Sequence, residues 1–158
     1  MSIQQTTKTP RVVIITGISG AGRRTVAHAM EDLGWYVVDN LPPAMLGALV
    51  DEIAANDIDR LAVVLDVRSR IMFDTLGMAV NALDERAIDP AIVFLEASDE
   101  TIVRRQESSR RPLPLQQGGH LLDAVALERR MLSDLRAEAD LVIDTTSITA
   151  RQLAQRID

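Results

Sequence analysis

The sequence predicts an α/β fold: a three-layer domain with a parallel sheet of about five strands. Three observations carry this. Short apolar runs alternate with stretches of helical period, the pattern of repeated strand–helix–strand units. The runs are nearly continuous rather than alternating, as in strands covered on both faces. A glycine-rich turn joins the first run to the first helix.

Val12–Thr16 is apolar and β-branched, which suits a buried strand. A helix follows over about Arg24–Leu33, with Val26, Met30 and Leu33 on one face and Gly34 as its stop. Trp35–Val38 gives the second strand, and both aromatic residues are expected in the core. Pro42-Pro43 opens a helix at the position where proline is tolerated, and Met45, Leu46, Leu49, Val50 and Ile53 keep its period. Leu61–Val67 is the third strand, and a helical stretch spans about Ile71–Arg86. Ala91–Leu95 is the fourth strand, closed by Glu96. Ser98, Asp99 and Glu100 mark the start of the next helix. Pro112, Pro114 and Gly118-Gly119 read as a loop. Leu121, Val125, Leu132 and Leu135 mark one further helix, and Leu141–Ile143 is the fifth strand, ending at Asp144. Thr149 and Gln152 form a capping box for a final helix, with Ile148 and Leu153 placed as its hydrophobic staple. That helix reaches Asp158 without a stop signal, so a longer natural chain is expected.

The 158 residues suit one compact domain, residues 11–158, after a polar leader, residues 1–10, expected to be disordered. No apolar run approaches the roughly 18 residues of a membrane span, and no secretory signal is visible. The absence of cysteine excludes disulfides and thiolate chemistry. Together these fit the cytoplasm. The net charge of −6 argues against bulk attachment to nucleic acid or an anionic membrane. The two histidines, His28 and His120, read as helix-surface or loop residues.

The chemistry concentrates after the first strand. Gly17, Ile18, Ser19, Gly20, Ala21 and Gly22 lie between a buried strand and a helix start. There glycines let successive N–H groups converge on an anion and the helix adds its positive end. The phosphate-loop pattern GxxxxGK[ST] is met at Gly17 and Gly22. Arg23 stands in place of the lysine, and Arg24 in place of the hydroxyl. Charge survives at Arg23 without the lysine's compact geometry. The usual Mg2+ ligand is lost at Arg24. Thr25 restores it only if the helix start shifts by a residue, since one position turns a side chain about 100°. The chain therefore reads as a P-loop kinase-like domain binding a nucleoside triphosphate with Mg2+, better equipped for binding than for hydrolysis.

Asp66 ends an apolar strand, where a second acid of such sites holds Mg2+; it equally caps the turn Val67–Ser69. Glu96 and Asp144 are placed in the same way. Arg104, Arg105, Arg110 and Arg111 admit three readings: neutralising charge on a transferring phosphoryl group, a solvated helix face, or an RNA-phosphate contact. Asp39-Asn40 reads as an acceptor-substrate contact or as a turn before the prolines.

Four segments carry a resemblance: Gly17–Arg23, Glu31–Pro43, Asp66–Ser69 and Arg110–Leu115. Together they resemble the RapZ/YvcJ family of bacterial nucleotide-binding proteins, over nearly the whole chain from Val12. The resemblance implies a kinase-like P-loop domain followed by a second domain of similar size. It also implies hydrolysis of ATP and GTP. In some members it implies an adapter role presenting small RNAs to a ribonuclease and sensing an amino-sugar phosphate, mainly through the second domain. Gly17–Arg24 would be the ATP segment, and Asp66, Val67, Arg68 and Ser69 a GTP segment. The family carries lysine and serine where Arg23 and Arg24 stand, and histidine where Leu113 stands. Self-association stays open.

Overall fold

A computed structural model describes residues 9–18, 20–65, 70–109, 121–146, 152 and 155. The leader through Lys8, and Ser19, Asp66–Ser69, Arg110, Arg111 and the capping-box residue Thr149, lie outside the described residues. Pro10 is already buried, so packing begins just before the first strand.

The strands are β1 (Arg11–Gly17), β2 (Tyr36–Asp39), β3 (Arg60–Val64), β4 (Ala91–Glu96) and β5 (Leu141–Asp144). The helices are α1 (Arg23–Asp32), α2 (Leu46–Ala55), α3 (Arg70–Glu85), α4 (Asp99–Ser109), α5 (Leu121–Met131) and α6 (Ser133–Glu138), with a 3-10 turn at Pro43–Met45. All pairings are parallel, in the order β2-β3-β1-β4-β5. The chain fills one side of β1 first and then crosses to the other. The carboxyl end of β1, flanked by β3 and β4, is therefore the switch point where such sheets bind ligands.

The core follows from the apolar runs. Ile14, Ile15, Leu61, Leu65, Leu95 and Phe94 are essentially inaccessible. The register sets Ile15 between Val64 and Val93, and Gly17 beside Leu95. The expectation of a sheet buried on both faces holds for the three central strands and is corrected at the edges. In β5 only Ile143 is buried, and Leu141 and Val142 face outward. Tyr36, expected in the core, is exposed, whereas Trp35 is buried between the Arg11 and Arg60 guanidinium groups, each 5.5 Å from its ring. An edge strand has one neighbour and lacks the second wall of side chains.

The helix expected across Leu121–Leu135 divides into α5 and α6. Leu132 takes a turn conformation, and the Ser133 hydroxyl donates to the Arg130 carbonyl at 2.9 Å, a local alternative to the helical ladder. Both Leu132 and Leu135 stay buried, so the apolar period runs through the break. The Ser98 signal is realised: its hydroxyl accepts the Thr101 N–H at 3.2 Å and starts α4.

Candidate functional site: the loop after the first strand

The loop leaves β1 at Gly17, where φ is 150°; a Cβ there would lie 2.2 Å from the Leu95 carbonyl oxygen. No side chain fits at that distance. The next residue, Ile18, is buried and donates its N–H to the same Leu95 carbonyl at 3.1 Å. At the far end Gly22 takes φ 102°, and a Cβ there would meet no atom within 4 Å. Its backbone conformation, rather than space, requires glycine there.

Between these points the described carbonyls all accept hydrogen bonds. Ile18 O accepts the Ala21 N–H at 3.0 Å and Gly22 O accepts the Val26 N–H at 2.9 Å. Gly20 O accepts from Arg105 Nη1 at 2.9 Å, and Ala21 O accepts the Thr145 hydroxyl at 2.6 Å. Among the described residues no hydrogen bond uses the N–H groups of Gly20, Gly22, Arg24 or Thr25. These main-chain donors lie at the positive end of a ten-residue helix with no acid in its first turn.

Arg23 opens α1 and is half-buried; Arg24 and Thr25 follow, exposed. The left-handed turn at Gly22 makes Arg23 the first helical residue and Thr25 the third. Among the described residues no cluster of three carboxylate or histidine side chains could hold a metal. The Arg24 side chain offers no oxygen to a metal, and Asp66 lies outside the described residues.

The arginines separate. Consecutive helical positions diverge by about 100°, so Arg104 is exposed on α4 while Arg105 turns back onto the loop. Arg105 Nη1 donates to Thr145 Oγ1 at 3.2 Å, and Nη2 donates to the Thr145 carbonyl at 3.0 Å. These bonds, with the one to Gly20, engage its guanidinium in holding the loop. The strand-end acids are likewise used locally. Glu96 pairs with Arg136 at 2.8 Å. Asp144 accepts the Thr146 N–H at 2.8 Å. The Thr146 hydroxyl, then its N–H, hold the Asp144 carboxyl below its ordinary value, helped by the fields of Arg129 and Arg105. Asp39 is exposed at the end of β2, and Asn40 turns the chain at φ 59°. His28 is exposed, as expected. Ser19, Asp66, Val67, Arg68, Ser69, Arg110, Arg111 and His120 lie outside the described residues.

Sequence reasoning missed Thr145. The one available signal was a hydroxyl residue directly after a strand whose end lies on the ligand-binding rim. A hollow of about 420 Å³ lined by Leu76, Val80, Ile92 and Leu135 lies elsewhere, against the amino-terminal part of β4.

The sheet order, the loop and the helix it opens define a P-loop kinase-like fold. Solved structures agree on the fold. Shikimate kinase from Acinetobacter baumannii superposes with a TM-score of 0.63 at 20% identity, covering 95% of this chain and 92% of its own. The APS kinase of Mycobacterium tuberculosis gives 0.55 at 15% identity, covering 95% of this chain and 96% of its own. Residues 11–158 match the RapZ-like N-terminal domain, and the chain belongs to that family. It is 95% identical over its full length to a nucleotide-binding protein of Cutibacterium acnes, covering 54% of that protein. It is 51% identical over 151 residues to one of Streptomyces coelicolor, 94% of this chain and 50% of that protein. The chain thus spans about half the length of these relatives.

Proposed function

We propose that this chain binds ATP or GTP at Gly17–Thr25 and hydrolyses it weakly, as the nucleotide-sensing part of a regulatory protein. One observation carries the reading: the carbonyls of Ile18, Gly20, Ala21 and Gly22 accept hydrogen bonds while the N–H groups of Gly20, Gly22, Arg24 and Thr25 stay unengaged within the described structure. A polyphosphate is the ligand that satisfies several convergent amides at a helix start. Arg23 and Arg24 add positive charge without the point-charge reach of lysine or a metal-binding hydroxyl. Binding is then the stronger function and turnover the weaker. Mg2+ would arrive with the nucleotide, held mainly by its phosphates. The names of the relatives support a nucleotide ligand. Family membership supports an RNase-adapter-like role, with RNA or a ribonuclease as partner, mainly through sequence beyond this chain.

Calorimetric titration with ATP and GTP, with and without Mg2+, tests the reading. Saturable binding with slow phosphate release is expected. No heat with either nucleotide would reduce the loop to a structural turn. A second reading, phosphoryl transfer to a small hydroxylated acceptor, draws on exposed Asp39 at a strand end of the same sheet. It requires transfer to an acceptor faster than to water.

A further inference from the structure

We propose that Arg105 and Thr145 form a brace that sets the phosphate loop, with both acting as positioning residues rather than as groups that touch the nucleotide. The inference rests on the reading of the loop as a polyphosphate nest and names what builds it. A nest needs its N–H groups turned inward, so the intervening carbonyls must turn outward and find donors. Of the four described carbonyls, those of Ile18 and Gly22 have donors within the segment 18–26. The other two depend on side chains distant in sequence.

Gly20 O takes Arg105 Nη1 from α4, and Ala21 O takes the hydroxyl of Thr145, the first residue after β5. The pair is one unit, since Arg105 also donates to both oxygens of Thr145. A hydroxyl has a single proton. At 2.6 Å the Ala21 carbonyl holds it, and the Glu96 carbonyl at 3.3 Å is a weaker competitor. With that proton committed, Thr145 Oγ1 presents a lone pair to Arg105. Thr145 itself is fixed by its N–H, which donates to Glu96 O at 2.7 Å, and is only 4% exposed. Ile102, one turn before Arg105, backs the same loop: its Cγ2 would lie 3.2 Å from a Cβ on Gly20.

The test uses this chain with Thr145→Val, Thr145→Ser, Arg105→Met and the Thr145→Val/Arg105→Met pair. Amide hydrogen exchange across Gly20–Thr25 is followed without ligand, and affinity is measured for ATP and for inorganic tripolyphosphate. Thr145→Val should speed loop exchange and weaken both ligands about tenfold or more. Thr145→Ser, which keeps the proton, should restore both. The double variant should lose far less than the product of the single losses, because the two residues share one device. Unchanged exchange and affinity in Thr145→Val would overturn the brace. So would a Thr145→Ser variant as weak as Thr145→Val, which would assign the loss to packing. If Thr145→Val fails to fold, Arg105→Lys replaces it, since an ammonium cannot span three acceptors: faster exchange with weaker binding is then expected, and unchanged exchange and affinity would overturn the brace. A wild-type chain that binds neither ligand overturns the nest reading itself, and the brace is then judged on exchange alone.

Discussion

The two halves of the phosphate loop obey different constraints. The half leaving β1, Gly17–Ala21, is wedged into the sheet: Gly17 touches the Leu95 backbone, and Ile18 and Ala21 are buried. The half opening α1, Gly22–Thr25, has open space beside Gly22 and exposed side chains at Arg24 and Thr25. Both departures from the phosphate-loop pattern fall in the second half. Packing holds the described backbone of the first half, whereas in the second half Arg23 is half-buried and Arg24 and Thr25 are exposed. A loop of this kind can change its chemistry while keeping its shape.

The sharpest way to break this contrast is Gly17→Ala. The added methyl meets the Leu95 carbonyl at a distance no relaxation of a side chain can relieve, in a conformation that L residues avoid. A loss of about 4 kcal/mol is expected, read as a shifted urea midpoint. A near-neutral result would mean that the wedge is not rigid. In the outer half the expected effect is smaller and of another kind. Arg23→Lys should leave the urea midpoint in place and raise ATP affinity, by a factor of about ten at most. Unchanged or lower affinity would mean that the guanidinium has a phosphate geometry of its own.

The smallest effect concerns the rim beside the brace. The Asp144 carboxyl is held low in the folded chain, so its contribution to stability is fully present above the ordinary carboxylate value of about 4. It is lost only as the pH falls through the lower folded value. Thr146→Val removes the hydroxyl that contributes most to this shift and should move the NMR titration of Asp144 upward. An unmoved titration would assign the shift to Arg129 and Arg105 instead.

What could be read from the sequence was local. β1 and its loop were legible because a continuous apolar run followed by glycines is a contiguous signal. The strand-end positions of Glu96 and Asp144 followed from the same runs. Three features escaped for physical reasons. The α5–α6 break kept the apolar period, since Leu132 and Leu135 are buried on both sides of it. Tyr36 lies on a four-residue edge strand, too short for alternation to show which side is wet. The Thr145 bond to Ala21 joins positions 124 residues apart, and a threonine after a strand is chemically ordinary until the fold gives it a neighbour. The arginine cluster was visible, but only the helical rotation between Arg104 and Arg105 sets the second of them onto the loop.

The central claim is that main-chain amides, rather than side chains, make the anion site. Backbone amide NMR during an ATP titration tests it most directly. Saturable downfield shifts confined to Gly17–Thr25 and reproduced by inorganic tripolyphosphate are predicted. Shifts centred on the hollow around Leu76 and Leu135, with the loop amides unmoved, would contradict it.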